Sequence, residues 1–208
     1  ITNFQLPWYQ IVGNHDMFGA ELKTLPNTMM GLLSSFVDNF QILQDPMTLD
    51  NINYIPYNYC VELETDFKIQ ESPGVNIHLV HQMVTDVPFN GGIGYTLIDS
   101  LDLPKTGNHL LLCGHYHTGW PARVLRRDNS TFINPGAVCR KTIGYDDVSR
   151  APRCVFVGVN KSGMVVETLE IPYKPKEEAF NLKEYHQIEE NLKSLSIVVD
   201  HIFEESQK

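Results

Sequence analysis

The chain has 208 residues, 42% of them hydrophobic, which is enough for one substantial core with a small appended segment. Its 16 Lys and Arg stand against 25 Asp and Glu, a formal charge of -9, and that excludes a broad basic surface clamping nucleic acid unaided. Scattered cysteines (Cys60, Cys113, Cys139, Cys154) exclude a zinc ribbon or disulfide scaffold, and the lack of a long apolar run or leader-like start predicts a cytoplasmic protein.

The chain opens on Ile1 and reaches an apolar stretch, Trp8 to Val12, after little lead-in, so it is expected to begin mid-domain. That stretch reads as a strand halted by Gly13-Asn14-His15-Asp16. Residues 28–40 place Met29, Leu32, Leu33, Phe36, Val37 and Phe40 at helical spacing, predicting a core-packed helix capped by Asn27 or Thr28. Strands are expected over Asn53 to Leu63, Val75 to Val80 (ending at His81) and His109 to Cys113 (ending at Gly114-His115-Tyr116-His117). Beyond His117, short runs at Ala122 to Arg126, Thr131 to Ile133, Cys154 to Val159 and Met164 to Ile171 predict a second, mostly antiparallel sheet, with a hairpin turn at Asn160 to Gly163. Pro172 and Pro175 divide a domain over 1–173 from an acidic amphipathic helix over 174–208. In that tail Tyr185, Ile188, Leu192, Leu195, Val199 and Ile202 form a heptad-like seam, which could equally pack on the chain's own sheet.

Four of the eight histidines, His15, His81, His115 and His117, fall at strand ends, where loop residues converge on ligands. Taken singly, a histidine is most often a packed or solvated side chain; joint placement changes that. In G-N-H-D the Asn14 amide oxygen can bind a divalent metal, His15 can face the substrate, and Asp16 can fix the His15 tautomer. In G-H-x-H, Gly114 permits a sharp bend, and two imidazoles two residues apart in extended chain point the same way. A solvent-facing histidine pair would explain the second motif about as well.

The order GNHD (13–16), His81 in VHQM and GHYH (114–117) resembles the calcineurin-like metallophosphoesterases over roughly Trp8 to Ile171. The resemblance implies a four-layer α/β/β/α sandwich of two mixed sheets. It makes Asn14, His81 and His115 ligands of one metal, His117 a ligand of a second, and His15 the acid assisting the leaving oxygen. It implies two divalent ions, manganese foremost, with zinc, iron or magnesium as alternatives. VHQM together with Asn134-Pro135-Gly136-Ala137, Arg140 and Arg153-Cys-Val-Phe is similar to the SbcD-like branch of DNA repair exonucleases, although NPGA read alone is a tight turn. Proteins of that branch dock C-terminal helices on an ABC-type ATPase, a role open to the tail seam, as is self-association.

The chain departs from the family in lacking Asp-x-His and Gly-Asp-x-x-Asp, the motifs that precede GNHD and supply the bridging carboxylate. Its remaining ligands are neutral, so a single histidine-dominated site favouring zinc, nickel or copper is expected, with the His117 site left empty. Arg123, Arg126, Arg127, Arg140 and Arg150 are the one basic concentration, and the Val87 to Asp102 loop is expected to shape specificity. Three functions stay open: a metal-dependent phosphodiesterase or DNA exonuclease, a phosphoesterase-fold scaffold without catalysis, and a phosphatase or phosphodiesterase for small-molecule or protein substrates.

Overall fold

A computed structural model describes residues 6–63, 65–89, 94–120, 125–138, 150–160, 163–183, 186–187 and 190–191. Among the described residues the chain combines several sheets with few helices. Strand β1 (Trp8–Gln10) leads through three 3-10 segments to helix α1 (Met29–Phe36), and β2 (Phe40–Ile42) then pairs parallel to β1. There follow β3 (Met47–Leu49), β4 (Ile52–Tyr57), β5 (Val75–Val80), β6 (Val84–Thr85), β7 (Thr96–Leu97) and β8 (Asn108–Cys113). The chain continues through β9 (Leu125–Arg127), β10 (Ser130–Ile133), β11 (Arg153–Asn160), β12 (Gly163–Glu170) and the short α2 (Lys176–Ala179).

The main sheet runs in the order β3-β4-β5-β8-β10-β9. Its four inner strands are parallel, and the two edge strands are antiparallel to their neighbours. Strands β5 and β8 are buried on both faces, which is why VNIHLV and NHLLLC read as apolar runs rather than alternations. One face carries Val80, Leu111, Cys113 and Phe132 against Phe67, Ile98 and Trp120. The other carries Ile77, Leu110 and Ile133, covered by Val155, Val157, Met164 and Val166 of the β11–β12 hairpin. A separate cluster of Val12, Met17, Leu25 and Met30 holds α1 beside β1 and β2.

Three expectations need correction. Helix α1 ends at Phe36, and Phe40 begins a strand. Thr28 caps the helix, its side chain accepting from Gly31 N at 3.3 Å, whereas Asn27 lies in the preceding 3-10 segment. Half of the apolar stripe is not core: Met29, Leu32 and Phe36 are exposed, at 72%, 46% and 81%, while Phe40 packs on the Val12–Met30 cluster. The helix seats on the 3-10 segment through Met30 and Gly31, where a Cβ on Gly31 would lie 2.2 Å from Leu25 O, so the opposite side turns outward. Strands β9 and β10 do not join a second sheet; β10 extends the main sheet beside β8, and only β11 and β12 form the separate hairpin, pairing Asn160 with Gly163 as predicted. The six seam residues of the C-terminal tail lie outside the described residues.

Strands β5 and β8 also bury two histidines. His109 Nε2 contacts Thr106 O at 2.8 Å, and His109 Nδ1 contacts His78 Nε2 at 2.8 Å. A carbonyl only accepts, so Nε2 of His109 carries the proton, its Nδ1 accepts, and His78 must donate from Nε2. That leaves His78 Nδ1 as a buried lone pair without a partner. Burial, and next the neighbouring His109, push the His78 pKa down from 6.5 to about 3. The unfolded chain therefore binds the extra proton between those two values, and stability falls as pH drops from 6.5 towards 3. Wild type is expected to lose roughly 2–3 kcal/mol more than His78→Gln between pH 7 and pH 4.5, read from urea midpoints at the two pH values. Equal losses in both proteins would dismiss the neutral pair.

Candidate functional site

Every candidate ligand leaves the end of a strand or an apolar run, because polar groups needed at a surface must follow segments needed in the core. Strand β5 ends at Val80 and delivers His81; β8 ends at Cys113 and delivers Gly114 and His115. Val80 and Cys113 are register partners, and Gly114 N donates to Val80 O at 2.7 Å, so the two histidines emerge side by side. Their ring centroids are 5.1 Å apart at 61°. After β1, a 3-10 turn over Asn14–Asp16 brings Asn14 Oδ1 within 3.3 Å of His81 Nε2.

The GNHD turn makes close use of Gly13. A Cβ there would stand 2.8 Å from His81 Cε1 and 2.9 Å from His81 Nε2. Asp16 Oδ2 accepts from Gly13 N at 2.8 Å. That is the bond the structure gives Asp16; the expected bond to His15 is not formed, because the carboxylate closes its own turn instead. His15 is exposed, yet near enough that its charge bears on His115.

His115 also departs from expectation. The bend at this loop is in His115 itself, with φ of 64°, rather than in Gly114. Tyr116 N donates to Gly114 O at 2.7 Å, so the chain is turned at His115, not extended. His115 is half-buried beside His81, while His117 is exposed. Burial, then His117, then His15 hold the His115 pKa below its ordinary value, which favours the neutral ring.

Two residues that sequence reasoning passed over build the wall of the site. The Tyr59 ring stands 5.4 Å from that of His115 and 6.4 Å from that of His81. Asn58 ties three segments behind them: Oδ1 accepts from Val12 N at 2.6 Å, Nδ2 donates to Leu43 O at 3.2 Å, and its carbonyl accepts from Gln82 Nε2 at 2.7 Å. Both follow β4, and the only signal for them was a Tyr- and Asn-rich segment entering a loop. Beside the site an open, apolar cleft of about 440 Å³ lies between Tyr9 to Ile11 of the β1 segment and Arg153 to Val155 of β11, its floor running to His81 and Gly114.

Of the five arginines of the basic concentration, three are among the described residues, and two of these are spent on backbone carbonyls. Arg127 donates to the carbonyls of Ile98 and Leu101, and Arg150 is buried against Ala137 O. Arg126 is exposed, while Arg123 and Arg140 lie outside the described residues. In the expected specificity loop, β7 and a 3-10 turn at Ile98–Ser100 are formed, and residues 90–93 lie outside the description.

Comparison with known protein families, curated proteins and solved structures found no match. The site therefore rests on its own geometry. Asn14 Oδ1 accepts from His81 Nε2 at 3.3 Å; two donors at about 2.1 Å from one cation stand roughly 3 to 3.4 Å apart, so a cation replacing the Nε2 proton would meet the same spacing. Among the described residues no group of three or more His, Cys, Asp or Glu side chains is placed to hold a metal ion. The convergent set is two imidazoles and one amide oxygen, which fits one borderline cation and offers no carboxylate to bridge a second.

Gly13→Ala tests this packing. A Cβ there meets the packed His81 ring and, at 3.1 Å, Asp16 Oδ2, so stability is expected to fall by about 1–3 kcal/mol, while the His81 ring resonances shift as it leaves Asn14. Unchanged His81 resonances in the folded variant would show that Gly13 does not set the ring.

Proposed function

We propose that the chain is a metal-dependent phosphoesterase, foremost a phosphodiesterase acting on DNA or another phosphodiester. The observation that carries this reading is the convergence of Asn14, His81 and His115 at the ends of separate strand segments, with exposed His15 alongside. The same reading places the chain in a four-layer α/β/β/α sandwich and in the cytoplasm. Among the described residues no helix is long and apolar enough to cross a membrane.

Asn14 Oδ1, His81 Nε2 and a nitrogen of neutral His115 are the groups that would hold a divalent cation. Bound there, such an ion supplies Lewis acidity towards a phosphate ester. Zinc, nickel or copper suits this donor set better than manganese or magnesium, and His117 is the donor left for a second ion. His15, exposed and adjacent, donates a proton or hydrogen bond to the departing oxygen, a role worth typically 10² to 10⁴ in rate. The Tyr59 ring and the Asn58 clamp hold the metal donors in place. A DNA substrate must be gripped locally or by a partner such as an ABC-type ATPase, because the chain as a whole is acidic.

A second reading has its own support. With no carboxylate joining the convergent histidines among the described residues, the fold could serve as a scaffold that binds a partner without turnover. The acidic balance also suits a phosphatase or phosphodiesterase for small-molecule or protein substrates.

Hydrolysis of an aryl phosphodiester with manganese or zinc separates these readings. Turnover is expected in wild type, with a loss of at least about 100-fold in His81→Ala and in His15→Ala while circular dichroism stays native. A folded wild-type chain inert with every divalent metal would leave the scaffold reading standing.

A further inference from the structure

The turn at Asn134-Pro135-Gly136-Ala137 follows β10, two strands away from β5, and sequence reasoning treats it as a connection. In the structure it lies directly behind the GHYH loop. Asn134 is 1% exposed, and its side chain is satisfied at both ends. Nδ2 donates to Tyr116 O at 3.1 Å, and Oδ1 accepts from Gly136 N at 2.9 Å. The amide orientation is unambiguous, because a flipped group would set donor against donor and acceptor against acceptor. The Asn134 carbonyl accepts from Trp120 N at 2.8 Å, and Ala137 N donates to His117 O at 2.9 Å.

The two turns are pressed together so closely that only glycine fits at the contact. A Cβ on Gly119 would lie 2.4 Å from Gly136 N, and one on Gly136 would lie 2.7 Å from His117 O. Both glycines have positive φ, at 68° and 79°. His115, four residues before Gly119, has a Cβ and is also left-handed, at φ 64°. A side-chain-bearing residue keeps such a conformation only where its surroundings over-determine it. Here Tyr116 N closes on Gly114 O across His115, and Tyr116 O, one residue beyond the strained position, is held twice, by Gly119 N and by the Asn134 amide, both at 3.1 Å.

We propose that Asn134 is a positioning residue of the candidate site: by holding Tyr116 O it enforces the left-handed turn at His115 and so fixes where the His115 and His117 imidazoles stand. This rests on the metal-site reading for its importance, though not for its geometry. A fixed ring is what a ligand set needs, since a displacement of about 1 Å loosens it. Without the amide, His115 relaxes towards extended backbone, and its ring swings away from His81.

Asn134→Ser tests the grip. The shorter hydroxyl still accepts from Gly136 N but cannot span to Tyr116 O. The expected result is loss of the left-handed signature in the His115 Cα shift and HN–Hα coupling, together with at least tenfold weaker zinc binding by calorimetry. Asn134→Asp, which keeps the shape and the Gly136 bond but loses the donor, is expected to do the same. A folded variant of either kind with the His115 signature intact overturns the proposal. In wild type the Asn134 Nδ2 protons should exchange slowly with solvent; rapid exchange overturns the proposal even if neither variant folds. If wild type binds no zinc while the His115 signature responds to Asn134, the metal reading fails and the positioning role stands.

Discussion

The parallel pairing of β5 with β8 is the constraint on which the rest depends. It sets Val80 opposite Cys113, so that the first residues past each strand, His81 and Gly114-His115, arrive at one level on one edge. It also places His78 and His109 on one face within hydrogen-bonding distance, and it lines both faces with the aliphatic residues that bury the sheet. Register in a sheet buried on both faces is strongly specified, because a slip of one residue sends every side chain to the wrong side. Here such a slip would carry His78 and His109 to opposite faces and separate the two candidate ligands.

What could be read from the residues was what local pattern determines. Strands β5, β8 and β10 and the β11–β12 hairpin follow from apolar runs and turn residues, and the positions of His81 and His115 just past strand ends follow from them. The misreadings have physical causes. Helical spacing marks α1 as amphipathic but does not say which side meets the core; the close seat of Gly31 on Leu25 decides that, and it leaves Phe36 outside. Likewise, the glycine before His115 suggested the bend, whereas the turn is in the histidine, held by a residue 19 positions later in the chain.

Asn58, Tyr59 and Asn134 were illegible for a related reason. Each acts through contacts made across the fold: Asn58 through Val12, Leu43 and Gln82, Tyr59 through His81 and His115, and Asn134 through Tyr116. Asn is common in loops for its local turn chemistry, so its type alone does not distinguish a clamp between distant segments from an ordinary turn. The supporting shell of a site is written in tertiary contacts, and the donors themselves are written in motifs.

The buried His78 pair bears on how the chain reaches this structure as well as on how stable it is. Its lone pair must enter the core without a proton, since burial holds the folded pKa near 3 against an ordinary 6.5. A chain refolding one pH unit below that ordinary value has only about one tenth of its His78 in the neutral form. If β5 and β8 close before the proton has left, the seam shuts around a charge in an apolar interior. Mildly acidic refolding thus draws on a shrinking neutral fraction of His78.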